Sequence, residues 1–124
     1  MLGQTDAIAT VAVKNLTAAA EFYSNKLGLE KVRSEEMQVL IYKSGDSTML
    51  VYQSQFAGTN QATAVTWAVD DVDGTVRALK EKGVVFERYD FPDVKHEGDV
   101  HVFGNQRNAW FKDPDGNILA VVSK

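Results

Sequence analysis

The densest group of side chains able to do chemistry lies between His96 and His101, in the run His-Glu-Gly-Asp-Val-His. The histidines are five positions apart with a glycine between them, so they do not form the His-Glu-X-X-His pair that binds zinc from one helical face. In an extended segment, Glu97, Asp99 and His101 would point to one side and could bind a cation or transfer protons. The plainer expectation is a solvated loop, in which His96 or His101 contacts a ligand if the loop closes over a cleft.

Two tryptophans on predicted strands are expected in different environments. Trp67 alternates with Val65 and Val69, which places it on the side that packs against a helix. Trp110 precedes Phe111, which we expect to face a helix, so the Trp110 ring should lie on the opposite side and could stack on a flat or cationic ligand. The chain has no G-X-G phosphate loop and no nucleophile elbow.

A long stretch, residues 90–106, separates two predicted strands, and loops of more than about 12–15 residues are often functional. Its apolar side chains include Phe91, Val100, Val102 and Phe103. They favour either a lid or wall of a binding cleft or an edge strand over 99–103, and the two alternatives are compatible.

The elements that must position these residues form two similar series. In the first series, alternation, an Asn15 N-cap and a Gly28 C-cap predict a helix between strands at 7–13, 29–34, 37–43 and 48–54. A polar linker over 55–61 leads to the second series. There, an Asp71 N-cap and Gly83 predict a helix between strands at 64–69, 84–89, 109–112 and 117–122, the last two joined by an Asp-Pro-Asp-Gly turn.

The two series are an internal repeat, because a shift of 56 residues places Val13 on Val69 and Asn15 on Asp71. Each half has the order βαβββ, which suits a half-sheet covered by one helix. We therefore predict one α+β domain, residues 1–124, composed of two βαβββ modules at about 5–54 and 62–124.

Small side chains occupy one face of each module's first strand. Thr10 and Ala12 in the first module correspond to Thr66 and Ala68 in the second. Such a face fits a concave surface that leaves room for a ligand, and we expect Gln53, Trp110 and Val122 to line it from neighbouring strands. The alternative is that these small residues pack against another subunit or sheet.

Composition excludes several classes of protein. Thirteen Lys and Arg against seventeen Asp and Glu give a net charge of −4, which argues against nucleic acid as a partner. The chain has no cysteine, so disulfides, cysteine metal sites and a thiol nucleophile are excluded. We expect no signal peptide, no membrane segment and a cytoplasmic location.

Three stretches together resemble the vicinal oxygen chelate superfamily, which includes glyoxalase I, bleomycin-resistance proteins and extradiol dioxygenases. They are Phe22 to Leu29, Val69 to Val72, and Ala109 to Asn117. The resemblance covers nearly the whole chain. It implies paired βαβββ modules with curved mixed sheets that close around a cleft, helices on the outside, and a homodimer.

Enzymes of that superfamily hold a divalent metal with His, Gln or Glu at four positions. The resemblance assigns these positions to Ile8, Val51, Ala64 and Ala120. Alkyl side chains donate no electron pair to a metal, so we predict no metal and no cofactor. The metal-free bleomycin-resistance type is then the most similar subgroup.

The first functional hypothesis is a metal-free protein that binds a small hydrophobic or aromatic molecule, such as an antibiotic. The acidic charge balance favours a cationic ligand. The alternative is a glyoxalase- or dioxygenase-like enzyme that uses a displaced metal site or the loop bearing His96 and His101. A third hypothesis is an interaction module in which the face of small residues is filled.

Overall fold

The computed structural model describes residues 1–35 and 39–124. The predicted start of one strand at Met37 lies outside these residues. The chain divides into two compact units, Met1–Thr59 (unit 1) and Asn60–Lys124 (unit 2). Each unit has one mixed sheet and one principal helix, so the α+β class and the tandem βαβββ modules are confirmed.

Unit 1 begins with a short 3-10 helix, Leu2–Gln4, and its sheet has the strand order β1-β4-β3-β2. The pairing of β1 with β4 is parallel and the other pairings are antiparallel. Its elements are β1 (Ala9–Val13), α1 (Leu16–Ala20), a π-helical continuation (Glu21–Lys26), β2 (Glu30–Glu35), β3 (Val39–Ser44) and β4 (Ser47–Gln53).

The helix of unit 1 begins where the sequence indicates. The Asn15 side chain accepts a hydrogen bond from the Ala18 amide at 3.0 Å, which satisfies one free donor of the first turn. Its apolar side is buried, and the Tyr23 ring lies 6.1 Å from that of Tyr42. The helix ends at Gly28, whose φ of +75° is readily adopted only by glycine.

Unit 2 has a sheet of strand order β5-β10-β9-β8-β7, with β6 pairing with a different part of the β9 edge. The Asp71 carboxylate caps α2 by accepting from the Gly74 amide at 3.0 Å. Its elements are β5 (Thr63–Val69), α2 (Val72–Glu81), β6 (Phe86–Glu87), β7 (Lys95–Glu97), β8 (Val100–Phe103), β9 (Gln106–Lys112) and β10 (Ile118–Ser123).

The stretch expected to be a solvated loop is instead a β-hairpin. β7 and β8 pair antiparallel around a turn at Gly98, where φ is +64°. The strand predicted over 99–103 is therefore present as β8, but it lies between β9 and β7 rather than at the edge, and the loop interpretation of 96–101 is wrong. The strand predicted over 84–89 is reduced to two residues, because β8 occupies the next part of the β9 edge.

The turn between β9 and β10 fixes the register of the strands that carry the site. The Asp113 carboxylate accepts hydrogen bonds from the Asp115 and Asn117 amides at 2.9 Å each, and the Asn117 side-chain amide donates to it at 2.7 Å.

No helix in the described part of the chain has the length and apolar character needed to span a membrane.

Candidate functional site

The register of unit 2 gathers most of the predicted site residues on one face of its sheet. We call the sheet face opposite the principal helix the far face of each unit. One row of paired residues on the far face of unit 2 comprises Ala68, Val122, Asn108, His101 and His96. A second row comprises Thr66, Ala120, Trp110 and Glu87. Six predicted site residues therefore share this face.

The far face of unit 1 holds the remaining predicted residues except Gln53. Thr10 pairs with Leu50 and Ala12 pairs with Tyr52. Gln53 instead pairs with the buried Val13, and its side-chain amide donates to the Lys14 carbonyl at 3.0 Å. The structure thus separates Gln53 from Thr10 and Ala12, because it lies at the opposite parity on β4.

One of the four positions assigned to metal ligands needs correction. Val51 pairs with Val11 and is fully buried on the helix side. The unit 1 counterpart of Ala120 is Leu50, because Leu50 pairs with Thr10 just as Ala120 pairs with Thr66.

With Leu50 in place of Val51, the corrected metal-ligand position still carries an alkyl side chain. Ile8, Ala64 and Ala120 also offer no donor atom, so the residues present do not fit a divalent metal. Among the residues that the structure describes, no three imidazole or carboxylate groups are arranged to hold an ion.

Trp110 lies at the centre of an aromatic cluster on the far face of unit 2. Its ring centroid is 4.9 Å from that of His101, 5.5 Å from Tyr89 and 5.8 Å from Phe91. Phe103 adds a contact at 6.4 Å. Two of the four partners, Tyr89 and Phe91, come from the segment between β6 and β7. These contacts hold that segment over the sheet, since aromatic pairs are each worth about 0.5–1.5 kcal/mol.

A pocket of about 260 Å³ opens beside this cluster. Three of its walls are the rings of Tyr89, Phe91 and Trp110, and the indole N–H donates to the Thr63 hydroxyl at 3.2 Å. The remaining lining residues are Gln61, Ala62 and Ile118. Typical pockets for drug-sized ligands start at about 300 Å³, so this one suits a single ring or one group of a larger molecule.

A second, larger pocket of about 740 Å³ lies in unit 1. Its lining is mostly polar and contains no aromatic ring: Asp6, Ala7, Ile8, Ser44, Asp46, Ser47 and Thr48. Because binding pockets are lined mainly by apolar and aromatic groups, the pocket of unit 2 is the stronger candidate.

The two histidines bind the backbone of one residue, Tyr89, rather than facing solvent. His101 is fully buried and its Nε2 accepts from the Tyr89 amide at 2.9 Å. The Nε2 of His96 bonds the Tyr89 carbonyl at 2.9 Å, and the two imidazole centroids are 4.6 Å apart. An amide can only donate and a carbonyl can only accept, so Nε2 is unprotonated in His101 and protonated in His96.

The electrostatics agree with a neutral His101. Burial lowers the pKa of its imidazole below the usual value, and repulsion from His96 lowers it further. The backbone groups of Asn108, Tyr89 and Asp99 act in the opposite direction on this pKa. The Nδ1 of His101 and the Tyr89 hydroxyl are buried without a hydrogen-bond partner among the described residues.

An extended segment would have placed Glu97, Asp99 and His101 on one side, but the structure does not bring these three side chains together. Glu97 pairs with Arg107 at 3.1 Å and Asp99 pairs with Lys80 at 2.6 Å. The expectation of a shared cation or proton-transfer site fails because the turn at Gly98 divides the segment into two strands. Both carboxylates therefore serve as ion-pair partners on the surface.

Sequence reasoning missed Tyr89 and Thr63 as parts of this site. The alternation predicts that Tyr89 ends the strand over 84–89, whereas the chain leaves the sheet after Glu87 and returns across the far face. The apolar character of Phe91 and Phe103 was the available signal, and it did favour a wall over residues 90–106.

A family model described as the Glyoxalase/Bleomycin resistance protein/Dioxygenase superfamily matches residues 5–121. No curated protein matches the sequence significantly.

Solved structures share the fold at low sequence identity. A glyoxalase family protein from Enterococcus faecalis has a TM-score of 0.75 at 20% identity, over 99% of this chain and 100% of its own. A lactoylglutathione lyase from Agrobacterium tumefaciens has 0.73 at 19%, over 96% and 92%. A glyoxalase / bleomycin resistance protein from Catenulispora acidiphila has 0.73 at 22%, over 96% and 97%.

Proposed function

Because this chain belongs to the glyoxalase/bleomycin-resistance/dioxygenase superfamily, we propose that it is a metal-free protein that binds a small hydrophobic or aromatic molecule. The observation that carries the proposal is the pocket walled by Trp110, Tyr89 and Phe91. Its three rings are mutually inclined, by 74° for Tyr89 on Trp110 and 47° for Phe91 on Trp110. A planar or compact apolar group can therefore contact more than one ring at once.

The metal-free part of the proposal rests on donor chemistry. The superfamily positions for metal ligands carry alkyl groups here: Ile8, Leu50, Ala64 and Ala120. The alternative of an enzyme built on His96 and His101 is weakened, because the Nε2 atoms of both rings are bonded to the Tyr89 backbone. We therefore favour sequestration of a ligand over its chemical conversion.

The proposed ligand carries a cationic or electron-poor group. Aromatic faces attract cations through their ring quadrupole, and the chain's net charge of −4 favours the approach of positive molecules. Apart from the Tyr89 hydroxyl and the Trp110 indole N–H, the hydrogen-bonding side chains at the pocket are only Gln61 and Thr63. An antibiotic of the bleomycin kind, which combines rings with positive charge, fits this chemistry.

The test compares two probes of the same shape, phenyltrimethylammonium and tert-butylbenzene, together with bleomycin. Binding is followed by the fluorescence of Trp110 in a Trp67→Phe background and by the melting temperature, which a ligand of the native state raises. We expect saturable binding that is stronger for the cation. Equal binding of both probes would remove the charge preference, and no binding by any of the three would overturn the proposed function.

A matched variant locates the binding. Trp110→Leu should abolish the response of the melting temperature, whereas Trp67→Phe should leave it intact because Trp67 is on the helix side of β5. A dialysed sample should also bind the probe equally with and without added Zn²⁺ or Ni²⁺. A metal bound stoichiometrically, or a probe response that requires metal, contradicts the metal-free proposal.

We also propose that the protein is a homodimer. Both β1 and β5 are edge strands of their sheets, and an uncovered edge offers free backbone groups to a second chain. A sedimentation mass of two chains at micromolar concentration is expected, and a mass of one chain contradicts it.

A further inference from the structure

We propose that His101 is a proton-operated latch, which holds the Tyr89–Phe91 wall of the pocket in place when neutral and releases it when protonated. The latch is a property of the fold itself. Only its consequence for binding rests on the proposed function.

The latch consists of two imidazoles that bind both backbone polar groups of Tyr89. His101 accepts the Tyr89 amide and His96 bonds the Tyr89 carbonyl, each at 2.9 Å. Tyr89 lies in no strand, so no sheet ladder replaces these two bonds. The Tyr89 ring in turn packs 5.5 Å from Trp110, and both rings line the pocket. Loss of either bond therefore acts directly on the shape of the pocket.

Protonation acts differently on the two histidines. When His101 takes a proton, its Nε2 becomes a donor and faces the Tyr89 amide, which is also a donor, so the bond is lost and two hydrogens oppose each other. His96 donates from Nε2 to a carbonyl, and the imidazolium still carries that hydrogen. Only His101 is therefore the sensor, while His96 is a fixed clamp.

The surroundings of His101 favour the neutral form of its imidazole. Full burial and the nearby His96 both lower the pKa of His101. The closed segment therefore disfavours protonation, and opening of the segment favours it. The groups that face it from other elements are His96 on β7, Trp110 on β9, and Tyr89 and Phe91 on the intervening segment. Of these, His96 is the one whose charge acts on His101, and Glu97 and Asp99 form ion pairs with Arg107 and Lys80.

Hydrogen exchange of the Tyr89 amide tests the latch without any ligand. Because opening frees His101 to take one proton, we expect the protection factor of this amide to fall about tenfold per pH unit between about 6.5 and the native pKa of His101. The Val84 amide, which donates to the Leu79 carbonyl at 3.1 Å in the same unit, serves as the reference. A Tyr89 amide that changes only in parallel with Val84 overturns the proposal.

Two variants separate the sensor from the clamp. His101→Gln retains an acceptor that cannot titrate, so Tyr89 should keep its protection at low pH. His96→Gln retains a donor to the carbonyl, so the pH response should persist. If His101→Gln fails to fold, the His96→Gln chain still decides the matter, because loss of the pH response there would make His96 the sensor.

Binding of phenyltrimethylammonium at pH 7.5 and pH 5.0 then measures the consequence. Acidification should weaken binding to the parent chain and leave His101→Gln nearly unchanged. Binding that is absent at both pH values contradicts the proposed function and leaves the exchange result to stand. Binding that is equal at both pH values, with Tyr89 exchange also unchanged, overturns the latch.

Discussion

The two units of this chain pair their strands in the same register, and they differ in the side chains at equivalent positions. In unit 1, Thr10, Leu50 and Ile41 form a row of paired residues across three strands. The equivalent row in unit 2 is Thr66, Ala120 and Trp110. The third position of the row is therefore aliphatic in unit 1, whereas in unit 2 it is the central tryptophan of an aromatic pocket.

Unit 2 also has an element for which unit 1 has no counterpart among the described residues. The hairpin of β7 and β8 extends the sheet beyond β9 and supplies His96, His101 and Phe103. The helix, the parallel strand pair and the hydrogen-bonded caps are common to both units. The difference teaches that the two units share a scaffold, whereas the candidate site depends on Trp110 in this row, on the hairpin, and on the segment that carries Tyr89 and Phe91.

The largest expected effect comes from truncating Trp110 and Ile41, the third residues of the two equivalent rows. Trp110→Ala should lower the free energy of unfolding by about 3 kcal/mol, because it removes the ring that four aromatic neighbours contact. Ile41→Ala, at the equivalent half-buried position of unit 1, should cost about 1–2 kcal/mol. Urea denaturation measures both. Equal losses would mean that the aromatic cluster adds nothing to unit 2.

A pair of neighbouring substitutions on β5 tests the assignment of faces. Val69→Trp should destabilise the protein by about 1–3 kcal/mol, since it overpacks the helix side. Ala68→Trp adds the same ring on the exposed far face and should cost under about 0.5 kcal/mol. Thermal and urea unfolding compare the two, and the reverse order of stabilities would mean that the faces are exchanged.

Both histidines of the chain lie in unit 2, so the pH dependence of that unit near pH 6 is expected to differ from that of unit 1. The lowered pKa of His101 means that the unfolded state binds the proton first. Stability is therefore complete above about 6.5 and declines as the pH falls, by up to about 1.4 kcal/mol per unit, until the native pKa is passed. His101→Gln should flatten this slope in urea titrations at pH 5 to 7.5.

The helix caps should behave alike in the two units. Asn15→Ala and Asp71→Ala each remove a side-chain acceptor 3.0 Å from an amide of the first helical turn, at a cost of about 1 kcal/mol each. Urea denaturation of the two single variants is the measurement. A cost confined to one unit would show that the repeat is not equivalent at its helix starts.

Much of the fold was predictable because its determinants are local. The caps at Asn15 and Asp71, the alternation of the strands and the Asp113–Asn117 turn each act within a few residues, so they define the modules from the sequence. The alternation also placed Trp110 on the far face, since this placement follows from side-chain type and spacing without reference to distant parts of the chain. The assignment of Ile8, Ala64 and Ala120 to metal-ligand positions came from the resemblance to the superfamily.

Only the tertiary structure decided where non-local partners meet. Val51 and Gln53 proved to lie at the helix-side parity, since the pairing of β4 with β1 sets the parity and one residue of shift reverses every side chain. The hydrogen bonds of His96 and His101 to the backbone of Tyr89 join positions 7 and 12 residues apart, across a segment whose course the sequence leaves open. Polar groups removed from water must find partners, and which partners they find depends on strand pairing rather than on local preference.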